Sequence, residues 1–321
     1  MGLGLAAMLD LIALLRQNRL KCLHRFRASN PDISLTALPA SVRSWADLAV
    51  VEACATRRLT ACGDGFTVWH VWGSGRPVVL LHGGSGSWTH WVRNISALVE
   101  AGYMVHVPDL PGFGDSAALP HGTDADAVPK WIELGLTKLI GTSACDVIAF
   151  SFGSLVGAFL ASNFPLRVGQ LVLVGSPALT TVEGPALDLR AWKNLQEPDR
   201  SEAIRYNLRS LMLSRDESID DLAVEVHAAN LQRDRMRQRR LFKTDVLLRT
   251  LPSLRCDVAA IWGCDDALYR DRLDVLCPAL SQAPRFRYLS LIGQAGHWVQ
   301  FEQSARFDDA LLSILRKNGD R

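Results

Sequence analysis

The strongest indication of the fold is the segment DVIAFSFGSLVG, residues 146–157. An apolar run of strand length leads directly into Ser151, and a run of small residues with helical character follows it. A side chain on so sharp a strand-to-helix turn strains the backbone, so the residues two before and two after it must be small. Ala149 and Gly153 meet that requirement. The stretch therefore predicts a serine hydroxyl exposed at the start of a helix, where free N–H groups favour negative charge.

A glycine-rich loop stands upstream in LLHGGSGSW, residues 80–88, after another apolar run. Glycine can present its backbone N–H with no side chain in the way, which suits the stabilisation of a developing oxyanion. We expect the N–H groups of Gly84 and Phe152 to serve that purpose, with Ser85 as a helper. A phosphate-binding loop is the alternative, but neither GxxxxGK[ST] nor GxGxxG occurs in this loop.

An acid and a base follow two later apolar runs. Asp265 and Asp266 stand side by side after residues 258–262, at a strand end where active-site loops gather. We predict that Asp266 orients the base, with Asp265 as the alternative. His297 follows the last run, and its ordinary pKa near 6.5 lets it take a proton from serine and return it. The chain order Ser151, Asp266, His297 predicts a catalytic triad.

The rest of the chain predicts an α/β fold, because apolar runs of strand length alternate with helical stretches from about residue 58. Residues 176–255 interrupt this pattern with helical spacing alone. We therefore divide the chain into an N-terminal extension (1–50), a core (51–175 and 256–321) and a helical cap (176–255). The predicted strands are residues 78–81, 105–107, 147–150, 171–174, 258–262 and 288–292, preceded by an antiparallel hairpin of 57–60 and 66–72.

Composition narrows the function. The net charge of the 321-residue chain is only +2, which argues against general nucleic-acid binding. Its seven cysteines are odd in number and lack CxxC spacing, so we expect a cytoplasmic protein with no disulfide framework, no metal and no cofactor. Residues 1–15 are largely apolar and precede a basic stretch, the reverse of a secretory signal. We expect an amphipathic helix there, with membrane contact as the alternative.

These motifs resemble the α/β-hydrolase superfamily over residues 58–315, and DLPGFGDS (109–116) is similar to a loop of that family. The resemblance implies a mostly parallel sheet with helices on both faces and an inserted helical cap. Residues 296–302 are similar to the ending of meta-cleavage product hydrolases, which hydrolyse a carbon–carbon bond next to a ketone. Those enzymes usually carry asparagine before the nucleophile, where this chain has Phe150, and a cap arginine that aligns with Val226 or His227 here.

Hydrolysis of a small ester or related acyl compound through an acyl-enzyme is the expected activity. Carbon–carbon bond hydrolysis and a non-catalytic, ligand-binding role are the alternatives, and the sequence does not predict the oligomeric state. Five arginines lie between residues 233 and 240, either on a solvated helix face or turned toward an acidic substrate group. The residues expected to contact the substrate are Ser85, Trp88, His227, Arg233 and Trp298.

Overall fold

The structure is a computed structural model that describes residues 38–180, 187–236 and 238–319. The helix expected in residues 1–15 lies outside these ranges, as does Arg237. The strands are β1 (Thr56–Cys62), β2 (Gly65–Trp72), β3 (Arg76–Leu81), β4 (Tyr103–Pro108), β5 (Cys145–Phe150), β6 (Val168–Val174), β7 (Asp257–Gly263) and β8 (Phe286–Ile292). The helices are α1 (Trp45–Cys54), α2 (Ile95–Glu100), α3 (Pro129–Ile140), α4 (Phe152–Asn163), α5 (Asp199–Asn207), α6 (Asp221–Gln232), α7 (Val246–Thr250), α8 (Leu276–Leu280), α9 (Val299–Glu302) and α10 (Ser304–Gly319).

The eight strands of the described residues form one sheet in the order β1-β2-β4-β3-β5-β6-β7-β8. The β1–β2 and β2–β4 pairs are antiparallel and the remaining pairs are parallel. This confirms the predicted mostly parallel sheet, and the hairpin that leads into it pairs Thr56 with Val71 and Cys62 with Gly65. Every residue of β5 and β7 is buried, as expected for strands that helices cover on both faces.

Two hydrophobic cores lie on the two faces of this sheet. One contains Trp91 and Phe307, and the other contains Trp69 and Trp262. The Trp69 Nε1 donates to Thr60 Oγ1 at 2.8 Å, whereas the buried Nε1 of Trp91 and of Trp262 has no hydrogen-bond partner among the described residues. The core around Trp91 takes up α10, and the other core takes up α3 and α4. The central strand ends are thereby fixed between two packed layers.

The first described residues belong to the same core. Helix α1 has a capping box at Ser44 and Asp47, and it buries Leu48 and Val51. The predicted boundary at residue 50 therefore falls inside a helix that packs on the sheet, since the 3.6-residue period of so short a helix is hard to recognise from sequence. Within the described residues, no helix is both long and apolar enough to cross a membrane.

The chain between β6 and β7 is helical throughout its described elements, and we call residues 176–256 the inserted segment. Helix α5 runs into a π-helical turn at Leu208–Met212, and α6 follows with the Asp220 side chain accepting from the Ala223 N–H at 2.7 Å. Helix α6 ends at Gln232, and residues 233–236 and 238–240 continue without regular helix.

Candidate active site

Ser151 lies on the sharp turn between β5 and α4. Its φ of 50° and ψ of −118° are strained for a residue with a side chain, and its N–H donates to the Val174 carbonyl at 2.8 Å. A Cβ on Gly153 would lie 2.6 Å from the carbonyl oxygens of Leu81 and His82. The turn therefore requires glycine two residues after the serine, because α4 begins directly against the end of β3.

His297 joins the serine to the acid. Its Nε2 lies 2.9 Å from Ser151 Oγ, and its Nδ1 lies 3.0 Å from Asp266 Oδ2. Asp266 is fully buried and also accepts from the Leu268 N–H at 2.9 Å, which fixes the carboxylate. The Asp265 side chain lines a surface cleft instead, so of the two adjacent aspartates Asp266 is the one that contacts the histidine. Such a chain of contacts can move a proton from a hydroxyl to an imidazole.

Gly175 lies against His297 and Asp266, at a position that the sequence did not indicate as functional. It follows β6 with a φ of +50°, and a Cβ there would lie 3.2 Å from His297 Nδ1 and 3.4 Å from Asp266 Oδ2. Only glycine adopts this backbone without cost and leaves room for the imidazole. The available sequence signal was weak: a glycine just after a buried apolar run.

The glycine-rich loop after β3 lies beside the start of α4. A Cβ on Gly84 would be 3.6 Å from Phe152 Cβ, so the two predicted oxyanion donors are neighbours. The Gly83 N–H instead donates to His90 Nδ1 at 3.2 Å. His82 anchors the loop: its Nδ1 lies 2.8 Å from the Gly83 carbonyl and its Nε2 accepts from the Leu110 N–H at 2.9 Å. Burial lowers the pKa of His82, which favours the neutral ring that these contacts require.

A second residue missed by the sequence analysis, Asn230, attaches α6 to this loop. The Asn230 side chain is buried, and its Oδ1 accepts from Ser87 Oγ at 2.7 Å. Its Nδ2 donates to Thr89 Oγ1 at 3.0 Å. A buried polar side chain with both ends bonded specifies one arrangement of the elements that it joins. The inserted segment is thus fixed to the loop that carries Gly84.

The arginine-rich residues contact the site differently from what we expected. Arg233 pairs with Asp115 at 3.1 Å rather than reaching the serine, and Arg235 donates to the Gly114 carbonyl. Arg239 instead approaches the glycine-rich loop: its Cζ would be 3.6 Å from a Cβ on Gly84. Because residues 233–236 and 238–240 do not continue α6, no periodicity in the sequence indicates which arginine faces the loop.

The predicted substrate-contacting aromatic residues are held in the core. Trp88 packs on Trp72 at a centroid distance of 5.5 Å. The Trp298 Nε1 donates to the His90 carbonyl at 3.0 Å, and its ring stacks on Phe301 at 4.1 Å. Both indoles are buried. These contacts favour core packing for both side chains over the expected substrate contact, because large flat side chains near an active-site motif also satisfy core packing.

His227 lies in α6 with only 9% of its surface exposed, and burial lowers its pKa to about 4. Its Nδ1 has no hydrogen-bond partner among the described residues. Ser85, by contrast, is fully engaged: its Oγ donates to Asp234 Oδ2 at 2.6 Å.

No cluster of three or more His, Cys, Asp or Glu side chains that could hold a metal occurs in residues 38–180, 187–236 and 238–319.

Known proteins are similar to this chain over most of its length. Residues 76–304 match the family model described as alpha/beta hydrolase fold. The chain is 27% identical over 262 residues to 2-hydroxy-6-oxo-6-phenylhexa-2,4-dienoate hydrolase from Burkholderia cepacia, which covers 76% of this chain and 88% of the relative. It is 25% identical over 258 residues to 2-hydroxy-6-oxononadienedioate/2-hydroxy-6-oxononatrienedioate hydrolase from Comamonas testosteroni, with 76% and 88% covered.

Two solved structures share the fold. One is the meta-cleavage product hydrolase CumD from Pseudomonas fluorescens IP01, with a TM-score of 0.66, 22% identity, and 81% of this chain and 97% of that chain covered. The other is the esterase RhEst1 from Rhodococcus sp. ECU1013, with a TM-score of 0.66, 21% identity, and 82% and 98% covered. At this level of identity the likeness concerns the fold alone.

Proposed function

Because this chain belongs to the α/β hydrolase fold family, we propose that it hydrolyses a small ester or related acyl compound through an acyl-enzyme on Ser151. The observation that supports the proposal most directly is the 2.9 Å contact between His297 Nε2 and Ser151 Oγ, backed by Asp266 on the other ring nitrogen. A hydroxyl is a weak nucleophile until a neighbouring base can take its proton. Both partners of that proton transfer are already within hydrogen-bond distance.

The proposed cycle begins when His297 Nε2 takes the proton of Ser151 and the serine oxygen attacks the substrate carbonyl. The N–H groups of Gly84 and Phe152 stabilise the oxyanion that forms, a contribution of about 3–4 kcal/mol for one such donor. His297 then protonates the leaving group, and water releases the acyl group with the same base. Asp266 keeps the imidazole in the tautomer that leaves Nε2 free to accept.

We rank ester hydrolysis first because the residues at the positions expected to bind an anionic dienoate either have another partner or cannot form a hydrogen bond. Arg233 is paired with Asp115 at 3.1 Å, and Phe150, before the nucleophile, has no hydrogen-bonding side chain. Carbon–carbon bond hydrolysis of a 2-hydroxy-6-oxo-dienoate is the second candidate, and the names of the relatives at 25–27% identity favour it. Both reactions would use the same serine and histidine.

We further propose that residues 176–255 act as a cap over a core formed by residues 51–175 and 256–321, to which all of helix α1 also belongs. Asn230 and Asp234 of that segment contact the glycine-rich loop, which supports this division. Ser85, Trp88, Trp298 and Arg233 all have protein partners, which favours structural roles over direct substrate contact. We also propose a cytoplasmic location, because the odd number of cysteines without CxxC spacing argues against a disulfide framework.

The test compares p-nitrophenyl acetate and butyrate with 2-hydroxy-6-oxo-6-phenylhexa-2,4-dienoate on purified protein. Ser151→Ala should lower ester turnover by at least about a thousandfold. Ser162→Ala is the matched control, since that serine lies on the same helix and contacts Ser253 Oγ at 2.9 Å. Dienoate turnover orders of magnitude above ester turnover would reverse the ranking. A folded sample that turns over neither substrate, and that a fluorophosphonate probe does not label, would favour the non-catalytic, ligand-binding alternative.

A further inference from the structure

Three residues form a charged cluster beside the glycine-rich loop, and we call Ser85, Asp234 and Arg239 the loop cluster. Arg239 Nη1 lies 2.9 Å from Asp234 Oδ2 and 3.1 Å from Asp234 Oδ1. Ser85 Oγ donates to Asp234 Oδ2 at 2.6 Å and accepts from Arg239 Nη2 at 3.2 Å. The side chains of Asp234 and Arg239 are only 12% and 19% exposed. Such a pair is screened far less than a surface ion pair.

The guanidinium lies against the two residues whose N–H groups we assign to the oxyanion. Its Cζ would be 3.6 Å from a Cβ on Gly84 and is 5.8 Å from the centre of the Phe152 ring. A substrate carbonyl bound to those N–H groups would therefore have this charge as a close neighbour. An unpaired guanidinium at such a place attracts carboxylate groups strongly, because planar donors match carboxylate oxygens.

Asp234 removes that attraction. The Asp234 carboxylate accepts two hydrogen bonds from Arg239, one from Ser85 and one from the Met236 N–H at 2.9 Å. These four hydrogen bonds fix the carboxylate next to the guanidinium. The two arginines that flank Asp234 have partners of their own: Arg233 pairs with Asp115, and Arg235 donates to the Gly114 carbonyl. An added carboxylate would have to share the guanidinium with a fixed negative charge.

We propose that Asp234 is a specificity-determining residue that cancels the charge of Arg239 and directs the site to substrates with an uncharged acyl group. This inference rests on the proposed function and deepens it by naming the substrate class. A carboxylate on the acyl chain is rejected because it would lose its hydration beside an ion pair that offers no net positive charge, and an unpaired charge in such a place is a common way for binding sites to exclude a competitor. The substrates favoured are esters of plain alkyl or aryl acids.

The test uses two esters with the same leaving group and the same acyl length, p-nitrophenyl butyrate and mono-p-nitrophenyl succinate. The parent should prefer the butyrate by at least about tenfold in kcat/KM, and Asp234→Asn should reduce that preference by about tenfold or more, mainly through the KM for the succinate. Arg239→Gln should strengthen the rejection of the succinate. The double variant should lose the gain of Asp234→Asn. Asp245→Asn is the matched control, because Asp245 pairs with Arg249 at 2.9 Å in the same segment and should leave the ratio unchanged.

The inference is overturned if Asp234→Asn keeps the parent's ratio of kcat/KM for the butyrate over the succinate while its melting temperature stays near that of the parent. A binding measurement tests the charge inference independently of the proposed function. In a Ser151→Ala background, monomethyl succinate should bind more tightly after Asp234→Asn, while methyl butyrate should bind equally well. If the parent hydrolyses neither ester, the proposed function has failed, and this binding measurement alone decides the charge inference. Equal affinities for monomethyl succinate with and without Asp234→Asn would overturn it there.

Discussion

The Glu302 carboxylate accepts a hydrogen bond from the Gly296 N–H at 2.6 Å, immediately before the catalytic histidine proposed here. The same carboxylate accepts from the N–H of Ser214 at 3.0 Å and of Arg215 at 2.8 Å. Ser214 and Arg215 belong to the inserted segment, and a Cβ on Gly296 would lie 2.9 Å from the Ser214 nitrogen. One side chain therefore bonds the histidine loop to the segment proposed as a cap.

Glu302→Gln should lower kcat by about tenfold, because an amide can accept only part of these hydrogen bonds and places N–H donors against N–H donors. KM should change less, since no substrate contact is removed. The comparison is kcat per folded molecule, with Glu202→Gln as a control at a side chain that is 76% exposed. A lower melting temperature with an unchanged kcat would mean that Glu302 serves stability alone.

Gly175→Ala should lower kcat/KM by at least about tenfold, because a methyl group 3.2 Å from His297 Nδ1 displaces the imidazole from Ser151. The positive φ should also cost about 1 kcal/mol of unfolding free energy. Gly293→Ala is the control, since a Cβ there would meet no atom within 4 Å. Equal kinetics of the two variants on p-nitrophenyl butyrate would contradict the assigned role of Gly175.

The parts of this molecule that sequence predicts are those that repeat a simple pattern. Buried parallel strands are continuous apolar runs, so β5 and β7 could be recognised to within two residues of their observed ends. Ser151 could be located because the strained turn allows few neighbours. Arg239 and Glu302 could not, since their partners lie 154 and 88 positions away along the chain at Ser85 and Ser214, in irregular segments. Long-range polar contacts leave no periodic trace.

Arg93→Ala should lower the free energy of unfolding by about 2–4 kcal/mol, because two buried carbonyls and one half-buried carboxylate lose their donor. Arg93 donates to the Val42 carbonyl at 3.1 Å, the Phe301 carbonyl at 2.9 Å and Asp220 Oδ2 at 2.6 Å. Urea unfolding measures the loss, with Arg249→Ala as the control at a side chain that is 67% exposed. A change below about 1 kcal/mol would show that solvent replaces these bonds at little cost.

Asp308 should stabilise the folded chain at about pH 4, and this contribution should be lost as pH rises to about 7. The buried His106 and His227, whose pKa burial lowers to about 4, act in the opposite direction, so the contribution of Asp308 is read from a variant. Burial raises the pKa of the Asp308 carboxyl from 3.8 to about 7, while Asn94 Nδ2 donates to its Oδ1 at 2.8 Å. In this range the folded chain holds a proton that the unfolded chain has already released. Asp308 therefore favours folding at the acid end, and the contribution is lost as pH approaches the folded pKa.

Asp308→Asn should remove that dependence, because an amide keeps the hydrogen bond to Asn94 and does not ionise. Since Asp308 retains partial contact with solvent, we expect a gain over the parent on the order of 2 kcal/mol at pH 8 relative to pH 5. Urea unfolding at both pH values measures it, with the exposed Asp274→Asn as control. If the parent and Asp308→Asn show the same change in stability between pH 5 and 8, Asp308 makes no such contribution. Asp146, whose pKa burial raises to about 6 despite its partner Arg76, is the next residue to replace.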